Sequence, residues 1–281
     1  MSGRVAARPG RGEPSAAERR ATSRLVSLGS GSPGNATLYC TGTFRLLLDA
    51  GLACRTLEQR LRTVGVEPET IDAVLLTHEH HDHARGAQRF SKRHGVPVVG
   101  SRRALEAMDR SPLHFAEWIP IVAGVPVELD GASVEAFPVP HDAAEPLGFV
   151  VEGAGERVGY ATDLGAVTGL VAASLAGCDA LVIESNHDAR MLREGPYPRY
   201  LKERVASDRG HLSNDETATL LERVAHPRLR AVVLAHLSEN NNRPDLARDR
   251  AERALACAPD ATLHVAATRE TSEPVTWGTT A

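Results

Sequence analysis

A run of histidines directly after an apolar segment constrains this chain more than any other feature. Residues 73–83 read AVLLTHEHHDH, and the four apolar residues are typical of a short buried strand. Alternate side chains of an extended segment point the same way, so His78 and His80 can converge on one ion. Asp82 and His83 fall where the next helix is expected to begin, and they can face a second ion. Imidazole and carboxylate groups suit Zn²⁺, Mn²⁺ or Fe. Burying these side chains without a metal would leave many polar atoms unpaired, so an exposed charged loop is the weaker interpretation.

Composition limits the kind of protein. The chain has 281 residues, of which 42% are hydrophobic and 24% charged, enough for one large domain or two small ones. It has no run of 18 or more apolar residues, and no apolar stretch follows its N-terminal arginines, so neither a membrane span nor a secretory signal is expected. The four cysteines lie far apart without a CxxC pair, which favours a reducing cytoplasm and argues against a cysteine zinc site. The net charge of −4 excludes a uniformly basic nucleic-acid binder.

Charge and composition divide the chain into three parts. Residues 1–24 hold six arginines against two glutamates, a net of +4, so the remainder carries −8. Residues 1–22 are rich in Ala, Gly, Pro and Ser without periodicity, which predicts a disordered, Arg-rich tail. We expect one folded domain at residues 23–268 and a flexible C-terminal tail at 269–281.

Apolar runs and turn signals predict hairpins in the first half and helices alternating with strands in the second. Strands are expected at residues 25–28, 36–40, 44–48, 73–76, 97–100, 125–129, 133–139, 148–151, 158–161, 181–184, 231–235 and 262–266. Helices are expected at residues 57–64, 84–94, 167–175, 214–224 and 245–256. Gly95 stands where a helix usually ends. This order predicts an α/β protein in which helices cover mixed β-sheets.

The HxHxDH pattern resembles the metallo-β-lactamase fold superfamily. Members supply further ligands as a His, a bridging Asp and a last His, and here His141, Asp163 and His236 each follow a strand-like stretch. The resemblance implies an αββα sandwich, two mixed sheets face to face with helices on the outer faces. It also implies two divalent ions, Zn²⁺ or Mn²⁺, held by the seven ligands His78, His80 and His141 on one side, Asp82, His83 and His236 on the other, and Asp163 between them.

Three further motifs narrow the resemblance. They are SLGSGSPGN at 27–35, ESNHD at 184–188 with the segment that follows it, and the pair GHLSN at 210–214 and AHLSENN at 235–241. Together they resemble the WalJ/YycJ group, which is related to RNase Z and to phosphodiesterase branches. The resemblance covers about residues 25 to 266. It implies a dinuclear-metal phosphodiesterase that acts on nucleic acid through a metal-bridged hydroxide, and most specifically a 5′-to-3′ exonuclease on DNA rather than RNA.

Three residues are candidates for catalysis. His211 resembles the histidine of a His-x-Ser/Thr motif that contacts the scissile phosphate in RNase Z-like relatives, so it can donate a proton or bind the phosphate. Asp82 belongs to the metal motif, and His187 can orient the substrate or support the metal ligands. The residues after His211 have a second interpretation, since Ser213 or Asn214 is suited to cap a helix.

The segment between His187 and His211 is a candidate for guiding the nucleic acid. It holds six basic and four acidic residues, a net of only +2, so a solvated mixed surface stays an alternative. The expected substrate contacts are Asn186, Tyr197, Arg199, Lys202 and Arg204. Near the start of the domain, Asn35 and Ser32 are expected to hold the glycine-rich turn beside the site, and Asp49 to orient the HxHxDH loop as an acceptor.

Two other functions remain open from the sequence. The same metals could hydrolyse a thioester or a small cyclic phosphodiester, although His211 and the 187–211 segment argue against a thioesterase. A non-catalytic accessory protein of the same fold would have no need of seven filled ligand positions.

Overall fold

The chain forms two packed β-sheets in a computed structural model that describes residues 23–42 and 44–278. The first sheet has the order β14-β1-β2-β3-β4-β5-β6. Its strands are β1 (Ser23–Gly29), β2 (Ala36–Cys40), β3 (Arg45–Leu48), β4 (Ala73–Leu75), β5 (Val98–Gly100), β6 (Trp118–Pro120) and β14 (Val275–Trp277). Strands β3 to β6 are parallel to one another, whereas β1 pairs antiparallel with β2 and β14, so the sheet is mixed.

The second sheet has the order β13-β12-β11-β10-β9-β8-β7. Its strands are β7 (Val127–Leu129), β8 (Ala132–Pro138), β9 (Leu147–Gly153), β10 (Glu156–Ala161), β11 (Ala180–Glu184), β12 (Ala231–Ala235) and β13 (Thr262–Val265). Strands β10 to β13 are parallel. Strand β9 is antiparallel to both β8 and β10, so β8 runs in the same direction as β10.

Helices cover the outer face of each sheet. They are α1 (Cys54–Thr63), α2 (His81–Ala84), α3 (Ala87–His94), α4 (Arg102–Ala107), α5 (Gly169–Leu175), α6 (Ala189–Glu194), α7 (Arg199–Val205), α8 (Asn214–Val224) and α9 (Pro244–Ala254). Helices α1, α3 and α4 bury apolar side chains against the first sheet, and α5, α8 and α9 do so against the second. The predicted αββα sandwich with two mixed sheets is confirmed.

The central core lies between the two sheets. Tyr39 and Phe44 from the first sheet region pack in one cluster with Phe149 and Tyr160 from the second, and all four are at most 2% exposed. Burying each such side chain contributes about 1.5–3 kcal/mol. This apolar layer fixes the two sheets relative to each other, and therefore the loops at their common edge.

Local signals set several boundaries as expected. Gly95 ends α3 with a left-handed φ of 65°, a conformation that costs glycine little. Ser213 caps α8, accepting from the Glu216 N–H while the Glu216 carboxylate accepts from Ser213, which confirms the capping prediction. Helix α8 and strand β12 begin and end at the predicted residues.

The C-terminal region differs from the expectation of a flexible tail. Val275–Trp277 form β14, which pairs antiparallel with β1, and Trp277 stacks on Tyr39 with ring centroids 6.3 Å apart. The expectation of flexibility was therefore wrong for these residues, because two apolar side chains of the short segment are buried at the edge of the first sheet. The predicted tail at 1–22 lies outside the described residues. Within the described part of the chain, no helix is long and apolar enough to cross a membrane.

Candidate metal centre

The carboxyl ends of strands from both sheets meet at one edge of the sandwich. In the second sheet, β8, β10, β11 and β12 run in the same direction and deliver His141, Asp163, Glu184 and His236 to this edge. In the first sheet, β4 leads through Thr77 into the histidine run, and α2 begins within it. Side chains from five strand ends therefore converge, although they are distant in sequence.

The structure brings together all seven residues that the sequence suggested as metal ligands. The candidate ligand atoms of His78, His80 and His141 lie within 4.8 Å of one another, and so do those of Asp82, His83 and His236. Asp163 forms a group of the same kind with His78 and His83. The two groups therefore adjoin, with Asp163 between them.

Asp163 is the central carboxylate of this arrangement. One of its oxygens, Oδ2, lies 2.9 Å from His83 Nε2. The other, Oδ1, lies 3.6 Å from His141 Nε2 and 3.6 Å from His236 Nδ1. The residue is 2% exposed, so its charge is stabilised by these neighbours rather than by water.

His78 and His83 are each fixed through Nδ1. The Thr77 hydroxyl donates to Asp49, so the Thr77 oxygen can accept from His78 Nδ1, 2.9 Å away. His83 Nδ1 donates to Asp49 Oδ2 at 2.8 Å. Asp49 also accepts from the Thr77 N–H and the Tyr160 hydroxyl, which confirms its predicted role as an acceptor that orients the loop. Both imidazoles therefore direct Nε2 away from these anchors.

His141 and His236 follow the same pattern. His141 Nδ1 donates to the Gly210 carbonyl at 3.1 Å, and His236 Nδ1 donates to Glu184 Oε1 at 2.7 Å. Metal-binding histidines characteristically donate one ring N–H to a carboxylate or carbonyl and use the other nitrogen for the metal. Within the described part of the chain, the buried Nε2 atoms of His78 and His236 have no hydrogen-bond partner. These donor sets fit divalent metal ions.

The buried carboxylates of the centre are stabilised by positive charge on neighbouring groups. Burial raises the pKa of Asp163, but His236 and His83 outweigh it and hold that pKa well below its ordinary value. Burial lowers the pKa of His236, but Asp163 outweighs it and raises that pKa to about 10. The buried carboxylates are thus stable as anions only beside cationic groups, whether imidazolium or metal.

Backbone strain is concentrated at the same edge. Asp49, Asp163 and His236 are non-glycine residues with φ of 62°, 57° and 59°. Each such conformation costs on the order of 1 kcal/mol or more and persists where surrounding structure enforces it. Asp49 and His236 directly follow a strand end, and Asp163 lies two residues after one. The sharp turn at each position directs the side chain towards the centre.

The glycine-rich turn at residues 29–35 contacts the loop at residues 77–83, which we call the metal loop. The Asn35 N–H donates to the Asp82 carbonyl at 2.7 Å, and the Ser30 hydroxyl accepts from the His236 N–H at 2.6 Å. At Gly51 a Cβ atom would lie 1.6 Å from the Asp82 carbonyl oxygen, so only glycine fits there. The predicted role of Asn35 is confirmed, and Ser32 lines the adjoining cavity.

A cavity of about 250 Å³ opens beside the second group of ligands. Its wall includes His211, His236, Asn186, Tyr197 and Arg204. The His211 ring centroid lies 5.2 Å from that of His141 and 5.1 Å from that of His236, and its side chain is 20% exposed. His211 is thus next to the ligand set and accessible from the cavity.

Comparison with known proteins identifies the family. Residues 44–237 match the family model described as the β-lactamase superfamily domain. Exodeoxyribonuclease YycJ of Bacillus anthracis is 34% identical over 227 residues, which cover 79% of this chain and 84% of that protein. Exodeoxyribonuclease WalJ of Streptococcus pneumoniae serotype 2 is 34% identical over 229 residues, covering 78% of this chain and 83% of that protein. The chain belongs to the metallo-β-lactamase superfamily.

The fold comparison agrees with this assignment. The metallo-β-lactamase fold protein YhfI of Bacillus subtilis superimposes with a TM-score of 0.70 at 17% identity, covering 92% of this chain and all of that one. The predicted membership in the YycJ/WalJ group is confirmed by the sequence relatives. The chain is therefore a metallo-β-lactamase superfamily hydrolase, and its fold and His/Asp clusters imply bound divalent metal.

Glu184 contacts the centre but was not among the site residues predicted from the sequence. Its Oε1 accepts from both His211 Nδ1, at 2.8 Å, and His236 Nδ1. Its Oε2 accepts from the backbone N–H groups of Leu164 and Leu212. The available signal was an acidic residue that ends the apolar strand β11, at the same edge of the sheet as Asp163 and His236, which follow their strands.

The structure separates the predicted substrate contacts into two sets. Asn186, Tyr197 and Arg204 line the cavity, and the Asn186 amide also donates to the His236 carbonyl at 2.8 Å. Arg199 and Lys202 do not line it, since Arg199 pairs with Glu203 at 2.7 Å and Lys202 donates to the Arg193 carbonyl.

His187 lies apart from the ligand groups and from the cavity wall. It is 3% exposed, and its backbone bridges to Ser213. Its carbonyl accepts from the Asn214 N–H at 2.8 Å. The structure thus gives His187 a contact with the loop that carries His211, and its catalytic role stays a prediction.

Proposed function

We propose that this hydrolase is a dinuclear-metal phosphodiesterase that degrades DNA as a 5′-to-3′ exonuclease. The observation that carries the proposal is the pair of three-residue ligand groups that adjoin at Asp163, with His211 and a cavity beside them. The substrate class comes from the relatives YycJ and WalJ, which are named exodeoxyribonucleases. The 5′-to-3′ direction follows from the motif resemblance and is the least constrained part of the proposal.

Seven residues would hold two ions, Zn²⁺ or Mn²⁺. His78, His80 and His141 would bind one ion, Asp82, His83 and His236 the other, and Asp163 both. Five imidazoles and two carboxylates form a donor set suited to these metals. When bound, two such ions lower the pKa of water and polarise the phosphoryl group.

His211 is the proposed proton donor to the leaving oxygen or contact to the phosphate. Its Nδ1 donates to Glu184, so the opposite edge of the ring is available to the cavity. Burial lowers the pKa of His211, but Glu184 outweighs it and raises that pKa above its ordinary value, which favours the protonated form. Asp82 acts at the same centre as a ligand and orienting carboxylate, and His187 supports the His211 loop.

The cavity is the proposed place for the terminal nucleotide. Arg204 offers positive charge there, although Asp142 pairs with it at 2.7 Å, and Tyr197 offers an aromatic ring for a base. Asn186 supplies an amide at the same wall. A cytoplasmic location is part of the proposal, since all four cysteines are free thiols.

The test is a degradation assay with purified protein and Mn²⁺ or Zn²⁺. DNA labelled at the 5′ end should release labelled mononucleotides first, whereas 3′-labelled DNA should shorten progressively. His80→Ala should abolish both, because it removes one ligand of the first ion. His114→Ala is the matched control, since His114 is an exposed histidine outside the ligand groups.

Three outcomes would contradict parts of the proposal. Hydrolysis of a thioester but of no phosphodiester would overturn the phosphodiesterase assignment. Early release of label from the 3′ end would reverse the direction. Equal activity of His80→Ala and His114→Ala would show that the ligand groups are not the catalytic centre.

A further inference from the structure

Positive charge is concentrated in a part of the chain that the proposed function does not use. Residues 84–110 hold seven basic residues against two acidic ones, Glu106 and Asp109, a net of +5 in a chain whose total is −4. The segment between His187 and His211 reaches only +2. The strongest basic region therefore follows the metal loop directly.

Helix geometry places part of this charge on one surface. Arg89 and Lys92 are exposed on α3, and Arg85 is exposed in the turn before it, where Arg85 and Gly86 keep right-handed helical backbone angles. The spacing of four and three residues therefore puts the three side chains on one side. The opposite face buries Ala87 and Phe90 against the first sheet. We call these three residues the basic stripe.

The basic stripe is not neutralised by local carboxylates. In the part of the chain that the structure describes, Arg85, Arg89 and Lys92 form no ion pair, whereas the neighbouring Arg93 pairs with Glu58 at 2.8 Å. The α6–α7 region differs, since Arg199 and Arg204 are both paired with carboxylates. An unpaired row of cations favours a polyanionic partner.

The basic stripe begins just beyond the loop that carries the HxHxDH motif. Arg85 comes three residues after Asp82 and lines a second cavity, of about 310 Å³, together with Glu79, Gln88 and Arg110. Glu79 flanks His80, so this cavity adjoins the first ligand group on the side of α2. The rise from Arg85 to Arg89 along a helix is about 6 Å, and the stripe extends away from the centre by a further turn.

We propose that the basic stripe binds backbone phosphates of the DNA strand whose end lies in the metal centre. This inference rests on the proposed function and adds the path of the substrate outside the cavity. Contacts of this kind position a strand without reading its sequence, which suits an enzyme that degrades successive nucleotides.

The test is the salt dependence of DNA binding for charge-matched variants. Fluorescence anisotropy with labelled single-stranded and duplex DNA in EDTA, at about 50–200 mM salt, gives the slope of log Kd against log salt. Arg85→Gln with Arg89→Gln should raise Kd by about tenfold and reduce the slope by about 2. Arg223→Gln with Arg228→Gln removes the same charge from exposed positions before the amino end of β12, far from the centre, and should leave the slope unchanged.

Further variants make the result specific. Arg85→Lys with Arg89→Lys keeps the charge and should retain the slope, and Arg89→Gln alone should reduce it by about 1. Melting temperature and metal content, compared with the wild type, show that each variant is folded. Equal slopes for the two Gln pairs, or a slope that no variant changes, would overturn the inference.

Failure of the inference and failure of the proposed function give different results. A wild type that binds DNA through the basic stripe but hydrolyses no phosphodiester when loaded with metal would refute the nuclease activity alone. An active exonuclease whose DNA affinity is unchanged by substitution of Arg85 and Arg89 would refute only the proposed binding of DNA by the basic stripe.

Discussion

Glu184→Gln is the most informative single substitution. The Glu184 carboxylate accepts four hydrogen bonds, from His211 and His236 at 2.8 and 2.7 Å and from the backbone N–H groups of Leu164 and Leu212 at 2.7 and 3.2 Å. Glutamine has the same shape but keeps only one acceptor oxygen, and its NH₂ group must face two N–H donors. Two of the four bonds are therefore lost in a fully buried site.

The size of the effect follows from those bonds. A hydrogen bond to a charged group contributes about 1.5–3 kcal/mol, so the free energy of unfolding should fall by about 3 kcal/mol. The two histidines also lose the group that fixes their orientation. Loss of such a supporting carboxylate typically lowers metal affinity or activity by about 10–100-fold, which corresponds to about 1.4–2.7 kcal/mol of transition-state stabilisation.

The assay separates activity from stability. Steady-state hydrolysis of labelled DNA is measured per metal-loaded protein, well below the melting temperature, and urea unfolding gives the stability. Glu58→Gln is the matched control, because Glu58 is another buried carboxylate, bonded to Arg93 and His94 at 2.8 and 2.9 Å, on the outer helical layer. The control should lose stability and keep its activity. A Glu184→Gln protein with at least half the wild-type kcat would refute the positioning role.

Other predictions concern metal, backbone and pH. Removing the metal with a chelator should lower Tm by about 10 °C. A ligand at 1,000 times its Kd stabilises the folded protein by about 4 kcal/mol, and the Tm of a chain of this size shifts by about 2–4 °C per kcal/mol. An unchanged Tm in calorimetry would contradict a metal site. Gly51→Ala should reduce metal content, because its Cβ would lie 1.6 Å from the Asp82 carbonyl oxygen; elemental analysis showing a full complement would oppose this. Burial raises the pKa of Glu58, but His94, Arg93 and Cys54 lower it to about 2, so its contribution is present above the unfolded pKa near 4.5 and lost as pH falls towards 2. Between these pH values the free energy of unfolding of the wild type should thus fall by about 2 kcal/mol more than that of Glu58→Gln. Parallel acid-unfolding curves for the two proteins would refute a contribution from this ion pair.

The candidate ligand positions could be proposed from the sequence because each fits the pattern of the superfamily that the chain resembles. His141, Asp163 and His236 each follow an apolar run, and parallel strands bring their carboxyl ends to the same edge of a sheet. The histidine run is denser in ligand-type side chains than packing alone requires. The resemblance to the metallo-β-lactamase superfamily, whose members supply a further His, Asp and His after successive strands, assigned these side chains, far apart in sequence, to one centre.

The role of Glu184 was not predictable in the same way. Its two histidine partners come from separate loops, 27 and 52 residues away from it in the chain. The strand that ends at Glu184 indicates where the carboxylate lies, but only the packed structure shows that one oxygen accepts from both rings. Asp49, by contrast, was recognised because it ends an apolar strand beside the predicted loop.

Counting basic residues in the α6–α7 segment does not show which of them form ion pairs with neighbouring carboxylates. The sequence shows Arg199 and Lys202 near the cavity-lining Tyr197, but the helix α7 turns Arg199 towards Glu203. Helices α4, α6 and α7 and strands β6 and β14 were also not predicted. They are short, and β14 is stabilised by pairing with β1 from the other end of the chain rather than by a local pattern.

We propose that two adjoining metal ions at this centre support the hydrolysis of phosphodiester bonds in DNA. The most direct test is a titration of metal into chelated protein, with bound metal per chain and the rate of DNA hydrolysis measured at each step. Activity should become maximal at two bound ions per chain. Maximal activity at one ion, or equal hydrolysis by the chelated protein, would contradict this proposal.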